Sequence, residues 1–232
     1  MNKLMAHGLW HQFGQGAGAV IALDGVDIQL ERGTFTLLRG PSGSGKSTLL
    51  AAVSGLMRAM RGEVLLDGHP IWGGNGHDSS KFRAQHCGFV FQGSGLLPGL
   101  SAIDQVSLPI KLLGVPPRVA AERAAVALDR VGLMDRRHAR PHEMSGGQNQ
   151  RVAFARVLAK EPEFVFCDEP TSALDRRNGQ VVGALLRDMV DRSGSAVLCM
   201  THDERLLPFA DLILTMEDGR IIESVAASRG SV

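Results

Sequence analysis

A mixed α/β fold organised on a parallel sheet is predicted for this chain by three observations. Thr34-Phe-Thr-Leu-Leu38 is a short apolar run, Gly40-Pro-Ser-Gly-Ser-Gly-Lys-Ser-Thr48 a glycine-rich loop, and Leu49-Leu-Ala-Ala-Val53 continues as a helix. Strand, loop and helix therefore follow in order. Glu163 to Cys167 and Ala196 to Met200 are apolar on both faces, as strands inside a parallel sheet should be. Between them Val181, Leu185 and Met189, with Val182, Leu186 and Val190, repeat at helical spacing.

The elements can be justified in chain order. Leu4 to Phe13, Val20 to Leu30, Thr34 to Leu38 and Glu63 to Leu66 are β-rich, and Gly14-Gln-Gly-Ala-Gly18 between the first two reads as a flexible loop. Helical patterns dominate from Ser101 to Lys160. In Pro117 to Val131, Ala120, Ala124, Leu128 and Val131 form a stripe opposite Glu122, Arg123, Asp129 and Arg130. Beyond Lys160 strands and helices alternate. The expected organisation is a single domain over 1–232, with an α/β core of 1–92 and 161–232 interrupted by a helical segment, 93–160.

Composition narrows the function. The 232 residues are long enough for a substantial core, and 44% hydrophobic with 21% charged residues is ordinary for a globular protein. A formal net charge of +1 favours neither nucleic acid nor an anionic membrane surface, so no nucleic-acid partner is expected. No apolar run approaches a spanning length; the longest charge-free stretch, Gly88 to Ile103, is broken by Pro98 and four glycines. The N-terminus lacks the features of a secretory signal. Cys87, Cys167 and Cys199 are odd in number, far apart and set in apolar runs, which suits reduced, buried thiols of a cytosolic protein better than a disulfide frame or metal site. Direct membrane insertion is not expected, and any membrane role comes through a partner.

Three motifs carry chemistry. Gly40 to Ser47 fits G-x-x-x-x-G-K-[ST]. Its glycines (Gly40, Gly43 and Gly45), with Ser42, let the backbone curl so that N–H groups converge on polyphosphate oxygens. The helix beginning there adds its positive end through Ser47 and Thr48. Lys46 adds a cation for the β- and γ-phosphates, and Ser47 a hydroxyl for Mg²⁺. Phe164-Val-Phe-Cys-Asp-Glu169 is an apolar strand ending in two carboxylates. Asp168, expected beside the phosphate loop, can hold Mg²⁺ through water; Glu169 can accept a proton from, or orient, the water attacking the γ-phosphate. Met144-Ser-Gly-Gly-Gln148 precedes a helix over Gln150 to Ala159, and two glycines before a helix again make an anion site. Taken alone, that turn is equally an ordinary helix cap. One chain can hardly fold both sites onto the same phosphate, so the second is expected to serve a nucleotide held by another subunit.

The phosphate loop, Gln92 after a short strand, Ser145-Gly146-Gly147-Gln148, Asp168-Glu169, Ser172-Ala-Leu-Asp175 and His202 occur in the order found in ABC-type ATPase subunits. The chain resembles that family over essentially its whole length. The resemblance implies a P-loop NTPase core with a parallel sheet, an N-terminal antiparallel β subdomain and a helical insertion. It also implies a head-to-tail dimer with a second copy, two ATP molecules with Mg²⁺ being sandwiched between one subunit's phosphate loop and the other's signature. Gln92 matches the glutamine that reaches Mg²⁺ and the attacking water, Asp175 the aspartate that crosses the interface, and His202 the histidine that contacts the γ-phosphate. Phe13 aligns with an aromatic that stacks on adenine. The family often has tyrosine there and this chain has none, so Trp10 is a competing candidate. Met144 stands where leucine is usual and Gln148-Asn149-Gln150 replaces a more commonly acidic stretch, but no glycine or serine of the signature is lost.

Leu96-Leu-Pro-Gly-Leu-Ser-Ala-Ile-Asp-Gln-Val106 is similar to the segment that docks an integral membrane permease. Leu97-Pro98 and Leu108-Pro109, with a short C-terminus, resemble the lipoprotein-release and macrolide-export subunits; the regulatory domain common in sugar importers has no room after Glu223. The resemblance implies a motor subunit, peripheral on the cytoplasmic face of a bacterial inner membrane. The alternative is a regulatory, non-transporting relative that signals through a membrane partner to cell-envelope enzymes.

Overall fold

The computed structural model describes residues 3–73, 77–172, 174 and 176–227. β1 (Lys3–Phe13) and β2 (Val20–Glu31) pair antiparallel, and their alternation turns Leu4, Ala6, Leu9, Val26, Ile28 and Leu30 into one core. Their connection carries a short helical turn. Residues Gly16–Gly18 form a 3-10 turn, Gly14 and Gly16 take φ of 75° and 64°, and the Ala19 amide closes on the Gly16 carbonyl at 3.1 Å.

β3 (Phe35–Arg39) leads through the phosphate loop into α1 (Lys46–Val53). β4 (Arg61–Leu66) and β5 (His69–Pro70) follow, then α2 (His77–His86) and β6 (Cys87–Val90). Three helices come next: α3 (Ala102–Leu112), capped by the Ser101 hydroxyl, α4 (Pro117–Arg130) and α5 (Gly146–Lys160). The chain then runs through β7 (Phe164–Asp168), α6 (Arg176–Ser193), β8 (Ala196–Met200), β9 (Leu212–Glu217) and β10 (Arg220–Ala226).

The strands divide into two sheets. A four-stranded antiparallel sheet has the order β2-β1-β4-β5; a six-stranded sheet has the order β10-β9-β3-β8-β7-β6. The larger sheet is parallel from β9 to β6, with β10 added antiparallel at one edge. That edge hairpin turns at Asp218-Gly219, with φ of 45° and 77°. Positive φ at both central residues gives a turn whose twist matches the strands it joins.

Alternation along the central strands explains their two apolar faces. Leu37, Val165, Cys167, Val197 and Cys199 face the helical side, where α3, α4, α5 and α6 share one core with them. Leu38, Phe164, Phe166, Leu198 and Met200 face the other side, against α1 and the antiparallel sheet. The three cysteines are buried and free of disulfides. Of the six α6 residues at helical spacing, Val181 is 39% exposed, whereas Val182, Leu185, Leu186, Met189 and Val190 join the core.

Candidate active site

The phosphate loop leaves the carboxyl end of β3, the edge at which open parallel sheets present ligand crevices. Two glycines are dictated by space as well as by conformation. Gly40 has φ of 148° and a Cβ there would collide with the Met216 carbonyl; Gly45, the N-cap of α1, has φ of 99° and a Cβ would collide with the Ala22 carbonyl. The loop thereby packs main chain to main chain against Met216 and Ala22. Lys46 is folded back over the loop. Its Nζ donates to the carbonyls of Gly40 and Pro41 at 2.8 and 2.7 Å and lies 3.3 Å from Ser44 Oγ. Burial lowers its pKa, against the opposing pull of Glu169 and Asp168.

The two carboxylates end β7. β8 lies between β3, which leads into the phosphate loop, and β7, which ends in Asp168. Two strand spacings, about 10 Å, therefore separate the strands that carry them. Asp168 nevertheless reaches the same cleft as Lys46. Burial first, and then the Glu169 charge, raise the Asp168 pKa, while Lys46 lowers it. Glu169 takes a left-handed φ of 45°. Main-chain bonds hold it there: its amide donates to the Met200 carbonyl at 2.9 Å, and its carbonyl accepts from the Ser172 amide and hydroxyl at 3.2 and 3.0 Å. Its carboxylate is held in turn by residues just beyond β8. Thr201 Oγ1 donates to Oε2 at 3.1 Å, and His202 Nε2 lies 3.7 Å from Oε1.

These residues enclose a cleft of ≈ 420 Å³. Ser42 to Thr48 line it together with Gln92, Asp168, Glu169, Met200 and His202, and with Phe13, Val20 and Ala22 of the antiparallel sheet. Phe13 and Val20 are cross-strand partners on β1 and β2, and both are exposed, so they make an apolar lip. Trp10 does not line the cleft; the Arg61 guanidinium lies 5.0 Å over its ring. Ser47, Gln92 and Asp168 offer oxygen donors, the chemistry a Mg²⁺ ion prefers.

Among the described residues lining the cleft, none comes from 145–148. Ser145 caps α5 instead: the Gln148 amide donates to its Oγ at 3.2 Å, and the Ser145 amide donates to Gln148 Oε1 at 2.9 Å. Both glycines of the signature thus sit in the first turn of a helix, with their amides at its positive end. Asp175 lies outside the described residues. The motifs did not identify Thr201, which touches Glu169, or Met200, which lines the cleft and accepts from Glu169; no spacing marks either, though Thr201 precedes His202 directly.

A family model described as ABC transporter matches residues 23–172. MJ1508 of Methanocaldococcus jannaschii, an uncharacterized ABC transporter ATP-binding protein, is 37% identical over 220 residues, covering 95% of this chain and 98% of its own. The putative hemin import ATP-binding protein HrtA of Staphylococcus aureus is 36% identical over 211 residues, or 91% of this chain and 95% of its own. Of the solved structures, the dimeric ATP-binding cassette MJ0796 in a post-hydrolysis state with ADP and Pi gives a TM-score of 0.89 at 31% identity, covering 97% of this chain and 99% of that one. CbiO1 of Clostridium perfringens, part of the cbiONQ transporter complex, gives 0.86 at 30%, covering 97% and 88%.

Proposed function

The chain belongs to the ABC transporter family as an ATP-binding subunit and ATPase, and from that premise we propose that it is a transport motor working as a head-to-tail pair on a membrane permease. The observation that carries this reading is the division of anion sites. One cleft gathers the phosphate loop with Gln92, Asp168, Glu169 and His202, while the glycines of Ser145–Gln148 contribute nothing to it. A second copy turned end to end brings its own signature amides to that nucleotide. MJ0796, similar over nearly its whole length, is a dimer.

Each residue then has a task. The loop amides and Lys46 hold the triphosphate, Lys46 exchanging its carbonyl partners for phosphate oxygens. Phe13 offers its exposed ring to the base. Ser47, Gln92 and Asp168 would hold Mg²⁺, which when bound neutralises charge on the β- and γ-oxygens. Glu169, aimed by Thr201, accepts a proton from or orients the attacking water, and His202 contacts the γ-phosphate. The resemblance assigns Asp175 to the contact with the partner copy. The helical segment 93–160 is the lever: in the docking segment Leu97 is 51% exposed and offers an apolar side chain to a permease. No helix among the described residues is long and apolar enough to cross a membrane.

Within the family we assign the lipoprotein-release and macrolide-export type, on Leu97-Pro98 and Leu108-Pro109. A native complex purified in detergent tests that assignment. A partner with few spans and a large outer domain supports it; a partner with many spans and no outer domain overturns it. Vesicles reconstituted with that partner separate a transporter from a regulatory relative, and hemin belongs among the cargoes tried, given the naming of HrtA. The pairing itself is tested with Glu169→Gln. Turnover should fall by about a hundredfold or more, and light scattering should show the mass doubling in MgATP. A single-chain mass at saturating ATP would refute the pair.

A further inference from the structure

Gln150 is a polar side chain in an apolar setting, only 5% exposed on α5, just beyond the signature turn. Its Nε2 donates in two directions: to the Phe91 carbonyl at 3.4 Å and to the Pro170 carbonyl at 3.2 Å. Those peptides are far apart in sequence, but one adjoins Gln92 and the other adjoins Glu169. Further along α5, Arg156 donates to the carbonyls of Ser94 and Gly95, each at 3.2 Å. The segment carrying Gln92 is therefore gripped on both sides by the helix whose first turn is the signature.

We propose that Gln150 is a positioning residue that couples the two nucleotide sites of the pair. The inference rests on the head-to-tail reading above. In that arrangement Ser145–Gly147 of one copy meet the nucleotide of the other, whereas Gln92 and Glu169 serve their own. Any shift of the signature turn moves α5, and Gln150 passes the shift to the peptides beside Gln92 and Glu169. Occupancy across the interface thereby sets the geometry of the wall on which this copy's hydrolysis depends. An apolar residue would anchor α5 equally well to the surrounding core, but it would hold neither peptide. Both partners bonded to Gln150 Nε2 are acceptors, so what holds the two peptides is a donor at this position.

That requirement makes the proposal testable in the full chain with its permease or as the ATP-driven pair. Gln150→Met keeps length and removes the donors; Gln150→Lys keeps donors on a stem of similar length. ATP hydrolysis is measured against ATP concentration, and pairing is followed separately in the Glu169→Gln background. The parent should be sigmoidal, with a Hill coefficient between 1 and the limit of about 2 set by two sites. Gln150→Met should become hyperbolic with kcat lowered about tenfold and KM changed less than about twofold, while still pairing on ATP. Gln150→Lys should restore the sigmoidal response. A Gln150→Met enzyme as cooperative as its parent overturns the proposal, as does a parent that pairs yet is hyperbolic. A purely structural residue would lower melting temperature and activity together with no rescue by lysine, and that result also overturns it. If Gln150→Met does not fold, Gln150→Lys decides alone, since loss of its cooperativity contradicts the donor requirement. Failure of the Glu169→Gln chain to pair is read independently and refutes the head-to-tail arrangement on which the coupling stands.

Discussion

Replacing Phe13 with alanine should weaken nucleotide binding without disturbing the fold. Phe13 is 49% exposed at the lip of the cleft, and its ring meets that of His11 edge to face, with centroids 4.6 Å apart and planes at 66°. Losing one such aromatic pair costs about 1 kcal/mol of stability, a melting shift of roughly 2–4 °C in a chain this size. Stacking a base on an aromatic face contributes more to binding, about 1–3 kcal/mol by alanine substitution, or roughly 5- to 150-fold in affinity. Calorimetry with MgADP avoids turnover and pairing, and pyrophosphate, which has no base, serves as the control. Phe13→Ala should lose ADP affinity in that range and keep pyrophosphate affinity; Phe13→Trp should keep both. Trp10→Ala should leave ADP binding unchanged, because Arg61 covers that ring and it does not line the cleft. An ADP affinity within about twofold of the parent for Phe13→Ala would refute the stacking argument. So would an equal loss in Trp10→Ala.

Two further expectations concern charge. Burial and Glu169 raise the Asp168 pKa, so the native state holds that proton more tightly than the unfolded chain does. Stability from this group is fully present below the unfolded carboxyl pKa of about 3.9 and is lost as pH rises through the raised native value. Asp168→Asn should therefore melt above the nucleotide-free parent near neutrality, with the gap closing on acidification, while ATP hydrolysis falls by about two orders of magnitude. A gap that widens toward low pH would contradict the sign. Asp211 accepts from the Phe35 amide at 2.8 Å and pairs with Arg187 at 2.7 Å, both partly buried. Asp211→Ala should cost about 3 kcal/mol, seen as a melting drop on the order of 10 °C; a drop below about 2 °C would show that the pair is not structural.

Much of the fold was legible because burial imposes periods on sequence. Both-face apolar runs gave β7 and β8, and strand, glycine loop and helix gave β3 and α1. The edge hairpin of β9 and β10 was not anticipated, although Asp218-Gly219 carried the turn signal, as did Asp67-Gly68 between β4 and β5. Strand order was not readable: nothing in a single chain's periodicity says that β8 inserts between β3 and β7. At the site, motifs named residues by type but not by attachment. The Thr201 bond to Glu169 and the paired bonds of Gln150 join positions that have no common spacing, and only folding reveals them.

The backbone at Glu169 bends the way glycine or asparagine would choose, and a longer side chain adopts that posture at a cost of about 1 kcal/mol. The most restful occupant of this corner would be a residue with no acid to offer. With Glu169 in the role proposed above, heat tolerance and turnover are opposed at one peptide, and a lineage hardened against temperature alone would be drawn toward a quieter, idle machine.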